Sequence, residues 1–207
     1  MTVEATDVPV TRAPLDEKGR SILFYEARTA NSFADTPVTD AELSQIWDLA
    51  KWPPTAANTQ PLRVLYVRTP EGKERLVKHM ADGNKAKTAS APAVAVLSID
   101  PDYHEHIPTL FPMRPQMKDV FAANPEMRDA SGRFSGALQA GYFILAVRAA
   151  GLVAGPMAGY DAAGIEGEFF PEGDRKVQLV VNIGHPGENP WFDRLPRLDD
   201  EVALDWA

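Results

Sequence analysis

Apolar positions recur along the chain with two periods. Leu43, Ile46, Trp47 and Leu49-Ala50 follow at helical spacing. Thr39 stands just before them, with Glu42 three positions on, the pattern of a capping box. A helix is therefore predicted from Asp40. Pro53-Pro54 ends it, because proline disfavours helix at the preceding residue and lacks an N–H donor. Upstream, Ile22, Leu23, Tyr25 and Glu26 fit a first helix over Lys18 to Ala27, ending near Arg28. Leu62 to Arg68 (LRVLYVR) reads as a strand, and Pro70 to Met80 as a helix carrying Leu76 and Val77. The unbroken apolar run Ala93 to Ile99 (AVAVLSI) predicts a central buried strand, and Val177 to Ile183 (VQLVVNI) another.

Ser135 to Ala150 predicts the most apolar helix, ended by Gly151 as a C′ glycine. It is apolar nearly all round, so it belongs in a core or across a subunit interface. Residues 101–130 carry five prolines (101, 108, 112, 115 and 125) and are expected to be irregular, a long loop with a role such as a lid. Residues 1–15 read as a flexible N-terminal arm and 16–207 as one domain. The tail from Pro186 contains Pro and Trp and is hard to place within one subunit; Trp191 and Trp206 suit packing on a partner. Strands and helices interleave without strict βαβ repeats, which predicts an α+β three-layer arrangement with a sheet between helices.

Composition narrows the chemistry. The chain has 207 residues and no cysteine, which excludes disulfides, thiolate metal sites, iron–sulfur clusters and thiol catalysis. Lys plus Arg number 21 against 29 Asp plus Glu, a net charge of −8, which argues against general nucleic-acid binding. No apolar run approaches the ~20 residues of a membrane span. Met1 to Asp16 lacks the apolar core of a signal peptide, so a cytoplasmic location is expected. Dinucleotide, P-loop and nucleophile-elbow signatures are missing. His104-Glu105-His106 puts two histidines on one face only in an extended segment, and no third ligand group accompanies them, so no metal site is expected.

Four stretches carry candidate chemistry. Arg28, Thr29 and Asn31 gather a guanidinium, a hydroxyl and an amide just after the first helix, a set that can hold an anion. Pro54, Thr55 and Asn58 lie in PPTAANTQP, a rigid loop of small and polar residues that can lie flat on a planar ring. Asn84 and Lys87 are three apart, so on a helical turn they share a face and offer an amide beside a cation. Gly151 to Tyr160 (GLVAGPMAGY) includes Gly155, Ala158 and Gly159, whose small side chains let the backbone approach a ligand.

In this order, "ARTANSF", "PTAANTQPLR", "GNKAKTASAP", "GLVAGPMAGYD" and "RLPRL" resemble the flavin-dependent nitroreductase family from about Leu23 to Leu198. The resemblance is to the branch of malonic semialdehyde reductases and proteins named NADH dehydrogenase/NAD(P)H nitroreductase. It implies an α+β sandwich with a central mixed sheet flanked by helices, and an intertwined homodimer with FMN at the subunit interface. NADH or NADPH would be the electron donor. Arg28, Thr29 and Asn31, with Arg197 of "RLPRL", would hold the phosphate and ribityl chain. Pro54, Thr55 and Asn58 would approach the flavin from the other subunit. Asn84 and Lys87 would meet the pyrimidine edge, with Lys87 giving electrostatic support. Pro156, Met157, Ala158 and Gly159 would pass the N5–O4 edge with backbone N–H groups aimed at it. Hydride would pass from NAD(P)H to the flavin and then to a small nitro, quinone or carbonyl acceptor, malonic semialdehyde among them. No side chain acts as acid or base in that reading. Tyr103, Phe111, Arg114 and Phe121 would line the acceptor pocket, with Arg114 pairing a substrate carboxylate. The other reading of the same site is a flavin-binding or flavin-consuming homodimer without reductase turnover. Asn31, Leu62 and Ala158 depart from residue types common in the family.

Overall fold

A computed structural model gives the structure of the chain and describes residues 13–207. Most of the expected arm, residues 1–12, lies outside the described residues; Ala13 to Asp16 are exposed and precede the first helix. The elements in chain order begin with α1, Glu17–Arg20, which runs on as a π-helical turn, Ser21–Tyr25. Then come α2 (Asp40–Ala50), β1 (Leu62–Val67), α3 (Pro70–Val77), α4 (Asp82–Ser90) and β2 (Ala93–Ile99). After a 3-10 turn at Tyr103–His106 follow α5 (Ile107–Leu110), α6 (Met117–Ala123) and α7 (Pro125–Ala149). β3 (Val153–Met157), α8 (Ala162–Phe169), β4 (Lys176–Gly184) and α9 (Asp200–Ala203) complete the chain.

The sheet order is β1-β2-β4-β3. Every pairing is antiparallel, so the sheet inside this chain is not the mixed one expected. The reason is local. β2 is flanked by β1 and β4, and both run against it. The apolar run in β2 is buried at all seven positions, as its composition requires. Its side chains alternate between two cores. Ala93, Ala95, Leu97 and Ile99 meet Ile46 of α2 and Phe143 and Val147 of α7. Val94 and Val96 meet Leu76 of α3 and Ile165 of α8. The result is the three-layer α+β sandwich the sequence predicts.

The predicted capping box is formed: Thr39 accepts from the Glu42 N–H at 3.2 Å, and Glu42 accepts from the Thr39 N–H at 2.7 Å. Gly151 has φ +81, the left-handed C′ conformation.

The largest correction concerns 101–130. This segment is helical, not an irregular loop. Pro108 and Pro125 sit in the first turn of α5 and α7, where the missing N–H costs nothing. It forms a small cap with its own core of Tyr103, Ile107 and Phe121, against which Phe111, Met117 and Ala57 pack. The long apolar helix accordingly begins at Pro125, ten residues before the expected start. No helix among the described residues is long and apolar enough to cross a membrane.

Candidate functional site

The edge strand β3 organises the site. The N–H of Ala30 donates to the Ala154 carbonyl at 3.0 Å, so the residues that follow α1 run beside the strand. Gly155 makes this approach possible. A Cβ built there would lie 2.7 Å from the Ala30 carbonyl oxygen, closer than real Cβ contacts come. On its other side the 30–34 segment is tied to the chain after β4. Asn31 N–H donates to the Pro190 carbonyl at 2.9 Å, and the Ser32 hydroxyl donates to the Glu188 carbonyl at 2.7 Å.

These ties bring "RLPRL" to "ARTANSF". Arg28, Thr29, Asn31 and Arg197 line one cleft of about 520 Å³, closed by Phe192 and Leu195. The four residues predicted to hold a phosphate are thus together. The buried Nε of Arg28 has no hydrogen-bond partner, and its nearest acid, Glu26, is 3.7 Å away and largely exposed. A guanidinium held with a free donor in a cleft is fitted to an anion. Asn31 uses part of its amide on the Thr29 carbonyl, at 3.3 Å.

Arg194 also lines the cleft and was not singled out as a site residue, although it stands in "RLPRL". Its guanidinium donates to the Tyr25 and Ala27 carbonyls, so it braces the turn that presents Arg28.

The other end of β3 gathers a second group. Met157 is buried, and its sulfur accepts from Thr88 Oγ1 and from Asn182 Nδ2, each at 3.8 Å. The Met157 side chain therefore anchors the strand end, and only its backbone is offered outward. Ala158 and Gly159 are exposed just beyond it. Their N–H groups donate to no other group among the described residues. Asn84 Nδ2 donates to the Gly159 carbonyl at 2.9 Å, and the Ala81 N–H donates to the same oxygen at 3.0 Å. Lys87, half-buried, lies one turn along α4 from Asn84. Asn84 is thus tied to the segment with free N–H groups, and Lys87 follows it on the same helix.

The loop carrying Pro54, Thr55 and Asn58 is held elsewhere in the chain, against α7 and the cap. Ala56 N–H donates to Ser135 Oγ at 3.2 Å, and Asn58 Nδ2 donates to the Leu110 carbonyl at 2.8 Å. Asn58 Oδ1 accepts from Gln60 at 3.0 Å, so this amide is committed within the loop. Ala57, Asn58 and Gln60 have φ of 50, 51 and 45, a strained run for side chains with a Cβ. Nothing in the sequence of the loop signals that conformation.

The acceptor-pocket residues need correction. Tyr103 and Phe121 are buried and meet edge-to-face at 5.7 Å, with the Tyr103 hydroxyl donating to the Arg128 carbonyl at 2.8 Å. Their rings build the cap core rather than a ligand surface, because a two-helix cap has little other apolar volume to fold around. Phe111 is half-buried beside them, and Arg114 is exposed at the tip. His104 is buried under the cap, 3.2 Å from an Arg128 nitrogen, while His106 is exposed.

Comparison with known proteins identifies the fold and the family. The profile described as the Nitroreductase family matches residues 25–185. A Streptomyces coelicolor protein provisionally named NADH dehydrogenase/NAD(P)H nitroreductase is 61% identical over 96% of this chain and 98% of its own length. Among solved structures, a Bacillus subtilis protein provisionally titled a nitroreductase superposes with TM-score 0.83 at 20% identity, covering 93% of this chain and all of that one. A provisionally titled nitroreductase from Exiguobacterium sibiricum, solved in complex with FMN, gives TM-score 0.77 at 20% identity, over 95% of this chain and 99% of that one. Together they identify the sandwich as the family's fold: the chain belongs to the nitroreductase family.

Proposed function

We infer that the protein is an FMN-dependent NAD(P)H oxidoreductase that works as a homodimer. The observation that carries this reading is the layout of β3. An arginine-lined cleft with a free buried donor lies beside the strand, and exposed backbone N–H groups with an amide and a lysine lie at its end. A phosphate-bearing planar cofactor needs these two features in one site. The relatives' names and the FMN-bound neighbour support the choice of ligands.

When bound, FMN supplies the two-electron chemistry that carries hydride from NAD(P)H to an acceptor. The chain's own part is binding and electrostatics. Arg28 and Arg197 would neutralise the phosphate, and Thr29 and Asn31 would add neutral hydrogen bonds. Lys87 would supply a fixed positive charge near the negative charge that reduction adds, which would lower the cost of that charge. Asn84 holds the Gly159 carbonyl, and with it the direction of the neighbouring N–H groups.

The second subunit follows from what one chain leaves uncovered. Phe134, Leu138 and Tyr142 recur every four residues on α7, on the side away from buried Gln139, Phe143 and Val147, and all three are exposed. Leu195, Leu198 and Trp206 of the tail are exposed as well. Apolar stripes of this extent mark an interface. A partner docked there would bring its Pro54, Thr55 and Asn58 loop to the flavin; within this chain that loop is tied to α7 and the cap.

The acceptor is a small nitro, quinone or carbonyl compound. If the acceptor is a semialdehyde acid, Arg114, exposed at the cap tip, would pair with its carboxylate. Titrating flavin-depleted protein with FMN tests the reading: wild type quenches flavin fluorescence, and Arg28→Gln weakens binding at least about tenfold. Equal binding by the two proteins contradicts the phosphate assignment.

A further inference from the structure

Two polar side chains lie under the end of β3 and take no part in the cleft. Thr88 of α4 and Asn182 of β4 are both fully buried. The core on this face of the sheet is otherwise apolar, with Val94, Val96, Met157 and Val180 among its residues. Asn182 stands in register between Val94 of β2 and Gly155 of β3. Its Nδ2 and the Thr88 hydroxyl both donate to the Met157 sulfur, each at 3.8 Å. Its Oδ1 is buried and accepts from no group among the described residues.

This arrangement is costly. A thioether sulfur is a weak acceptor, so two buried donors recover little of what they lose on leaving water. Leucine and valine have nearly the shapes of asparagine and threonine and would carry no such cost. Polar groups kept at the expense of stability mark a place where geometry matters more.

The Met157 sulfur joins three elements, α4, β3 and β4. Thr88 comes directly after Lys87 and one turn after Asn84, so the three residues share one side of α4. Met157 comes directly before Ala158 and Gly159, whose N–H groups are free. The helix is thus fastened to the end of β3 twice: at the surface by Asn84 on the Gly159 carbonyl, and inside by Thr88 on Met157. Lys87 lies between the two fastenings in sequence, and Asn182 holds the sulfur from the sheet.

We propose that Asn182 and Thr88 are positioning residues: through the Met157 sulfur they hold Lys87 and the Ala158–Gly159 N–H groups at a fixed spacing, and so raise the preference for reduced over oxidised flavin. The inference rests on the flavin reading above and adds two residues that it leaves unused. Neither residue touches the flavin. Reduced flavin carries more negative charge than oxidised flavin, and fixed cations and N–H dipoles stabilise added charge best when they need not reorganise. Loosening the clamp therefore costs the reduced form more than the oxidised one.

The test measures the flavin midpoint potential of the FMN-loaded full-length protein, beside an FMN titration and a thermal melt. Asn182→Leu and Thr88→Val remove a donor and keep the shape. Each lowers the ratio of reduced to oxidised flavin affinity about tenfold, the worth of one lost hydrogen bond, which is about 30 mV for a two-electron couple. Oxidised FMN binds within about threefold of wild type, and both variants melt no lower than wild type. Thr88→Ser keeps the donor and loses a methyl group, so it melts lower but keeps the wild-type potential. Unchanged potentials in Asn182→Leu and Thr88→Val overturn the proposal, as does a shift in Thr88→Ser equal to that of Thr88→Val. If Asn182→Leu does not fold, the Thr88 pair decides alone. Wild type that binds no FMN overturns the flavin reading itself, so the two failures are distinct.

Discussion

The side-chain amide of Asn84 donates to the carbonyl of Gly159 at 2.9 Å, fastening α4 to the segment that leaves β3. The contact is tight on both sides. A Cβ on Gly159 would come 2.8 Å from Asn84 Nδ2 and 3.3 Å from the Ala81 Cβ. The account therefore expects Asn84→Ala and Gly159→Ala to weaken FMN by about tenfold, the worth of one oriented hydrogen bond. Both sites are at the surface, so melting temperatures shift little. Fluorescence titration beside a thermal melt separates the two effects. Unchanged affinity in both variants removes Asn84 from the cofactor site.

Gly155 sets the spacing between β3 and the Arg28 segment. Alanine there must push against the Ala30 backbone oxygen, which belongs to the chain and not to a flexible side-chain end. Gly155→Ala should cost about 1–3 kcal/mol of stability, as overpacking does. It should also lower FMN affinity, because Arg28 moves with Ala30. A denaturant melt and an FMN titration of the same variant check both.

His104 makes the cap pH-sensitive. Burial, and then the Arg128 charge beside it, hold its imidazole below the ordinary histidine value. The folded state thus binds fewer protons than the unfolded chain between the two values. Its contribution is present above the unfolded value, about 6.5, and is lost as pH falls toward the folded one. Wild type should lose thermal stability as pH drops below about 6.5, and His104→Gln should flatten that part of the profile. An identical slope in the variant assigns the pH dependence to other groups.

The exposed stripe on α7 predicts the assembly. Leu138→Asp places a charge in the middle of Phe134, Leu138 and Tyr142. Sedimentation should show a dimer for wild type and a monomer for the variant, with FMN binding weakened because the partner's loop is missing. A wild-type monomer that binds FMN normally contradicts the interface reading.

Much of this was legible in the sequence where local chemistry decides structure. Thr39 and Glu42 announce the start of α2 because each satisfies the other's backbone. The apolar run of β2 announces a strand buried on both faces. Arg28, Thr29 and Asn31 are legible as an anion set, the family resemblance adds Arg197, and the four line one cleft. The cap is not legible from its prolines: five of them suggest a loop, whereas Pro108 and Pro125 sit where a helix tolerates proline. Tyr103 and Phe121 were misassigned for a related reason: aromatic residues in a presumed loop look free to meet a ligand, but in a small helical cap they are its core. α8 gives only a weak signal, since its four apolar residues, two of them alanines, stand among glycines and acids without a clear period. Positive φ at Asn58 suits its residue type, whereas at Ala57 and Gln60 it follows no local pattern; the loop is tied to Ser135 and Leu110 by hydrogen bonds.

The central claim is tested most directly by adding NADH or NADPH anaerobically to the FMN-loaded protein and following the visible flavin absorption. The account predicts that the band bleaches with at least one donor and returns when a nitroaromatic or quinone acceptor is added. Flavin that is bound but stays oxidised with both donors contradicts it, and leaves a flavin-binding protein without reductase turnover.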